Sequence, residues 1–462
     1  MVSSKVFPTE EAREAAIVDL EKKFDLTTEQ LKTISQLLQE EMKVGLSKYD
    51  ISCNVPMLAS WITRHPTGQE KGEYLGLDLS GSYIRVYLVT LHGQGRITTR
   101  QQKYLLRDNL KVGPVSNLVN FMAECVDSFL NFVNKVDNTP LNLGLCISFP
   151  LHQTAMSNAY ILQWTKDFEI TGADKKNIVE LLQTALRKRE VPVIVKAAVN
   201  GATGCLLAHS YRSLDTLIAC TVSTGTNAAY WEKTSDIVKL PPKPSANPDE
   251  EMIINTEWGS FGDTKSETLP HTFYDIRVNR QSVNPGIHVF EKMCSGLYLG
   301  EIVRLILVDF TDRRLLFDAN YSTELNTAYN FESAYMSAIE RDETPDLTDT
   351  KHLLENVMGL PKTTLSDRHM VKRICELVGR RAARLIAAGI NAIISKRNAL
   401  EAGLSISMEG TVYEHYANFP DRVNSALREL YDDGFERINI GITRDGNGVG
   451  AALAAMIAST PQ

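Results

Sequence analysis

The chain has 462 residues, too many for one ordinary core and suited to two domains. Hydrophobic residues at 43% and charged residues at 23% give the balance of a soluble globular protein. A net charge of −7 with no basic stripe excludes nucleic-acid binding by bulk electrostatics.

The seven cysteines have neither framework nor metal-ligand spacing and read as reduced thiols of an intracellular protein. The first twenty residues hold four carboxylates and no apolar centre, so no secretory signal is expected there. The longest apolar stretch, Ala382 to Ile394, is broken by Arg384 and Asn391. It is too short to cross a bilayer and suits a buried helix. The expected location is the cytosol, with nuclear entry or docking on an organelle left open.

The chain starts helical. Glu10 to Phe24 sets Ile17, Leu20 and Phe24 on one face, and Thr27 with Gln30 has capping-box spacing before a second helix carrying Leu31, Ile34, Leu38, Met42 and Leu46. A loop with Pro56, Pro66 and Gly68 follows. Tyr74 to Leu79 and Ile84 to Leu91 read as strands joined by a Ser-Gly-Ser-Tyr turn, with Arg96 to Leu106 as a third antiparallel strand. Next come a helix at Val115 to Asn134 and a strand at Leu143 to Phe149. After an irregular stretch, Ile178 to Arg189 reads as a helix and Val191 to Val199 as a strand.

A second strand, glycine turn, strand unit runs from Leu217 through Ser223-Thr224-Gly225-Thr226-Asn227 to Glu232. It echoes the unit near Asp78 and implies two related halves. Lys239 to Asn247, with three prolines, reads as a surface loop. Asp367 to Ser395 is the clearest helix, with Val371, Ile374, Val378, Ala382, Leu385 and Ile393 on one stripe. Leu404 to Met408 and Arg437 to Ile442 are late strands.

Two glycine hairpins make sense for a phosphorylated ligand, because glycine lets the backbone approach phosphate oxygens and offers its amides. Either turn alone also suits an ordinary hairpin. The longer stretches are more specific. Leu77 to Val86 (LDLSGSYIRV), Asn158 to Phe168 (NAYILQWTKDF), Thr224 to Tyr230 (TGTNAAY), Asn255 to Phe261 (NTEWGSF) and Asn284 to Glu301 (NPGIHVFEKMCSGLYLGE) follow one another along the chain. Glu409 to Tyr413 (EGTVY) and Asp445 to Ala452 (DGNGVGAA) close the series. In this order they resemble the hexokinase family, its fungal members above all, over nearly the whole chain.

The resemblance implies an α/β, actin-like fold of ribonuclease H-like ATPase domains, with two lobes around a ligand cleft. Residues 66–205 plus 446–462 would form the small lobe, and 1–65 plus 206–445 the large one. It implies hexose, glucose above all, held by Thr165, Lys166, Asn200, Asn227, Glu257 and Glu291. ATP with Mg2+ would lie at Asp78, Ser80, Gly81, Ser82, Arg85, Thr224, Gly225, Gly410, Thr411, Gly446 and Gly448, with no direct protein ligation of the metal. Amides and carboxylates suit a ring of hydroxyls, each both donor and acceptor, and Lys166 suits a transferring phosphoryl group. The bland readings stand beside these: Asn227 as a turn stabiliser, Glu257 as an ion-pair partner.

Active members of that family carry an Asn-Asp pair whose Asp takes the proton of the sugar 6-hydroxyl. Here the pair is Asn200-Gly201, so that base is missing. Ser80 and Ser223 stand at the first glycine of each phosphate turn, and Tyr83 replaces an asparagine. His152 replaces a serine, Glu409 an aspartate and His288 a glutamine. A positive φ at either serine would cost ~1–2 kcal/mol. The expectation is a sugar-binding relative with little or no kinase activity, acting as a regulator or sensor of carbon metabolism with a protein partner. The alternative is an active or slow ATP-dependent hexose kinase, with His152 as the substitute base.

Overall fold

The strand pairs that flank the two glycine turns each start a sheet, and the two sheets have the same strand order. The structure is a computed structural model, and it describes residues 9–48, 53–135, 139–164, 168–241, 249–264 and 268–460. In the first sheet, β1 (Lys71–Leu79), β2 (Tyr83–Gly93) and β3 (Arg96–Leu105) form an antiparallel meander, while β4 (Leu141–Ile147) and β5 (Val193–Asn200) extend it in parallel beyond β1. In the second, β6 (Thr216–Val222), β7 (Thr226–Lys233) and β8 (Glu251–Asn255) repeat the meander. Its parallel extension beyond β6 is β9 (Leu404–Glu409) and β10 (Ile438–Ile442). Leu58–Ala59 adds a two-residue edge strand on β8. The internal echo read from the two turns is therefore a repeat of whole-sheet topology.

Helices cover these sheets because their apolar stripes need a partner. α1 (Glu10–Phe24) and α2 (Thr28–Ser47) are capped by Thr9 and by the expected Thr27–Gln30 box. α3 (Val115–Phe132) and α4 (Ile178–Lys188) bury their apolar faces with the first sheet in one core. A larger core joins the second sheet to α1, α2, α6 (Phe273–Gln281), α7 (Val289–Cys294) and α8 (Leu365–Arg397). α8 starts where Thr364 and Asp367 form a capping box.

Between the sheets lie α5 (Gly201–Ser210) and α9 (Gly446–Ser459). Their Cys205, Leu206, Val449 and Leu453 pack with Tyr87 and Val89 of one sheet and Ala219 and Trp231 of the other. The fold is two-lobed, and these two helices form the layer between the lobes.

α9 approaches the first sheet so closely that side chains are excluded. A Cβ on Gly144 would lie 1.8 Å from the Ala451 carbonyl oxygen, and one on Gly76 would lie 2.1 Å from that of Gly448. Gly144→Ala should therefore lower stability by about 3 kcal/mol, the upper range for overpacking a core. A urea titration checks this through a shifted midpoint at unchanged slope.

Two sequence readings are refined. The stretch read as irregular holds a short hairpin, Leu151–Ala155 with Asn158–Ile161, whose strands are too short to show a period. The loop reading for 239–247 falls partly outside the described residues. No described helix is long and apolar enough to cross a membrane.

Candidate functional site

Four side chains from three chain segments meet where β5, β7 and β8 end or begin. Asn200 caps α5, its Oδ1 accepting from the Ala202 amide at 3.0 Å. Asn227 stands opposite the β6 end, and Asn255 closes β8. Glu257 follows in a left-handed conformation, φ 52°, which is strained for a residue with a side chain and turns its carboxylate inward. The Asn255, Asn227 and Asn200 amides donate to Glu257 Oε1 at 2.7, 3.1 and 3.4 Å. Asn227 also accepts from the Ala228 and Glu257 amides at 2.8 and 3.1 Å. It is thus both a turn stabiliser and a member of the cluster. Burial pushes the Glu257 carboxyl above its ordinary range.

Glu291 joins from α7. Its Oε2 accepts from the Thr226 amide at 2.9 Å. A Cβ on Gly225 would lie 2.4 Å from that oxygen, so a side chain there would displace the Glu291 carboxylate. Gly259 lies against the same side chain, where a Cβ would stand 3.3 Å from Glu291 Cβ. The sequence-expected Asn200, Asn227, Glu257 and Glu291 are thus brought together. Asn255 was missed as a site residue, although its segment was noted. Thr165 and Lys166 lie outside the described residues. A cluster of amides and carboxylates at these spacings can engage neighbouring hydroxyls, each of which donates and accepts.

The two glycine turns sit at the same corner of their sheets. In the first, Ser80 is used internally, its amide and Oγ both donating to the Tyr83 carbonyl at 3.1 and 3.0 Å. The Ser82 carbonyl accepts from the Leu106 amide, and Gly81 lies between. The Tyr83 ring is clasped between Arg85 at 4.5 Å and Lys103 at 4.2 Å. Arg85 is held by Asp445 at 3.3 Å and by the Tyr87 hydroxyl at 3.2 Å.

In the second turn, Ser223 Oγ lies 3.1 Å from Thr411 Oγ1, and the Thr224 carbonyl accepts from the Leu297 amide. Gly410 beside it has φ 114°, and a Cβ there would lie 2.4 Å from the Val222 carbonyl oxygen. The strain anticipated for Ser80 and Ser223 does not arise, since neither is among the described residues with positive φ.

Carboxylates gather where the sheets meet. Asp78 is buried at the end of β1. Burial pushes Glu409 up to about 7, with Asp78 and Glu414 acting the same way. Like charges so placed are a donor set that a divalent cation, with its water shell, fits. Among the described residues no group of three or more His, Cys, Asp or Glu side chains is placed to hold a metal ion directly. Gly446 starts α9 beside Glu409, whose Oε2 would lie 3.0 Å from a Cβ there. Gly448 is buried, and a Cβ on it would lie 2.2 Å from the Tyr87 ring. The structure gives it a packing role, because only a hydrogen fits under that ring.

Gly201 opens α5 directly after Asn200. The three atoms nearest to a Cβ built on it all belong to Asn447, with Oδ1 at 3.0 Å. His152 lies in the 151–161 hairpin opposite Tyr160, between the buried Leu151 and Gln153. Asn447 was not singled out from the sequence.

Comparison with known proteins agrees with this architecture. Two parts of a hexokinase family profile match residues 16–211 and 217–457. Hexokinase of Kluyveromyces lactis is 36% identical over 448 residues, covering 95% of this chain and 91% of its own. Hexokinase-2 of Saccharomyces cerevisiae is 36% identical, covering 96% and 92%. The solved structure of Schistosoma mansoni hexokinase complexed with glucose superposes with a TM-score of 0.88 at 31% identity, over 98% of this chain and 100% of that one. Matching motifs, fold and length together, this chain belongs to the hexokinase family.

Proposed function

We propose that this protein binds a hexose, glucose above all, and transfers phosphate poorly or not at all, its sugar-driven closure serving as a signal in carbon metabolism. The observation that carries this reading is an asymmetry at one helix start. Asn200, Asn227, Glu257 and Glu291 are assembled, while the next residue, Gly201, has no side chain to take a proton. Thr165 and Lys166 complete the proposed sugar set. The lobes are taken as 66–205 plus 446–462 and 1–65 plus 206–445, with the sugar between them. The glucose-complexed relative supports the choice of sugar. Binding that favours the closed form shifts the lobes towards it, and a protein partner reading the closed surface completes the regulator.

Nucleotide belongs to the reading as a second ligand. The two glycine turns with Thr224, Thr411 and Arg85 would hold ATP phosphates, and Asp78 with Glu409 would hold Mg2+ through water. When bound, the metal supplies positive charge against the phosphates. Tyr83, clasped by Arg85 and Lys103, narrows that end of the site.

A thermal-denaturation series tests the binding half. Glucose at 100 times its Kd should add ~2.7 kcal/mol of stability, and a non-binding scaffold would show no shift. The second reading, a slow hexose kinase, is favoured by relatives 36% identical over 95% of the chain that are named hexokinases. It predicts steady glucose 6-phosphate formation that His152→Ala abolishes.

A further inference from the structure

The space at Gly201 is filled by a particular group. Asn447 is the second residue of α9, reaching across from the end of the chain to the start of α5. Its Nδ2 donates to Asp78 Oδ1 at 3.3 Å. That bond fixes the amide: reversed, it would point oxygen at carboxylate oxygen, two acceptors with no proton between them. With the nitrogen committed to Asp78, Oδ1 faces Gly201, 3.0 Å from where a Cβ would stand. Asn447 is half-buried. Asn200 of the amide–carboxylate cluster is the neighbouring residue in the chain.

We propose that Asn447 Oδ1 is the acceptor for the hexose hydroxyl that lies against Gly201, the primary hydroxyl, and so determines sugar specificity. The inference rests on the sugar-binding reading above. A carboxylate at this place would accept the hydroxyl hydrogen bond and then take the proton. A neutral amide oxygen accepts the same bond and does not become protonated near neutral pH. Asn447 therefore recognises the hydroxyl as a base would, without activating it. Recognition and chemistry, joined in one side chain elsewhere in the family, are separated here.

Calorimetric titration of the full chain with glucose and with 6-deoxyglucose tests the assignment. The natural protein should prefer glucose about fivefold, the discrimination of one net hydrogen bond. In Asn447→Ala the preference should fall to about one, through weaker glucose binding at unchanged 6-deoxyglucose binding. Asn447→Ser, whose hydroxyl oxygen can still accept a hydrogen bond, should retain part of the preference and guards against a misfolded alanine variant. Equal affinity for the two sugars in the natural protein overturns the assignment, as does a preference that survives in Asn447→Ala. Both of those outcomes leave sugar binding itself intact. Failure of either sugar to bind the natural protein overturns the sugar-binding reading, and the assignment with it.

Discussion

Supplied with glucose and magnesium ATP, the purified protein should form glucose 6-phosphate at about one turnover per second or slower. Kinases turn over at ~1–100 per second, and a positioned general base is worth ~10²–10⁴-fold. On the reading proposed above, Gly201 supplies no such base, and what remains is orientation and electrostatic stabilisation. A coupled assay measures it, and a rate well above one per second would show that another group has replaced the carboxylate. Gly201→Asp should recover only part of the loss. Its new Cβ would stand 3.0 Å from Asn447 Oδ1, so the carboxylate must share its space with an amide already bonded to Asp78. Tyr83, proposed to narrow the phosphate end, would still be in place. Gly201→Asp combined with Asn447→Ala should exceed Gly201→Asp alone, and full recovery from the single change would refute the crowding argument.

Arg381→Ala should destabilise the fold by about 3–5 kcal/mol, the loss seen when one partner of a buried ion pair is removed. The Arg381 side chain is 0% exposed. Its two terminal nitrogens donate to Asp275 at 2.7 and 2.6 Å, and its guanidinium lies 4.2 Å from the centre of the Phe24 ring. Asp275 also accepts from Thr272 at the start of α6, so this ion pair ties α8 to α6 and, through the Phe24 ring, to α1. Burial alone would raise the Asp275 carboxyl, and Arg381 outweighs it, holding the group below the ordinary range.

The sign of the pH effect follows. A depressed carboxyl contributes stability above its unfolded pKa of about 3.9 and loses it as pH falls through the folded value. Without Arg381 the buried Asp275 carboxyl moves up instead. The difference between variant and natural protein should therefore be largest at neutral pH and shrink below about pH 4, as read from denaturation midpoints.

Periodicity made most of the elements legible. α8 shows an apolar stripe from Val371 to Ile393, and its start is written in Thr364 and Asp367. The hairpins around the glycine turns were legible because apolar runs flank short polar turns. The parallel neighbours of β1 and β6 were not, because β4, β5, β9 and β10 are distant in the chain and carry no mark of their partners.

The site divides the same way. Asn200, Asn227, Glu257 and Glu291 stood in long motifs and could be named. Asn255 and Asn447 are placed by what they bond, Glu257 and Asp78, and no local pattern encodes that. Gly448 carries a constraint that its motif does not announce: a side chain there would meet the Tyr87 ring.

The placement of α9 has a consequence for synthesis. The strands of the first sheet are complete by Asn200, yet the helix packed against Gly76 and Gly144 begins at Gly446. At ~5–20 residues per second, a ribosome takes about ten to fifty seconds to cover that interval. Throughout it, the nascent first lobe lacks the helix that covers one face of its sheet, and Val89 and Tyr87 stay open to other chains. The hexokinase-like half that emerges first is thus the one that finishes last, and its uncovered sheet is where a chaperone has something apolar to hold.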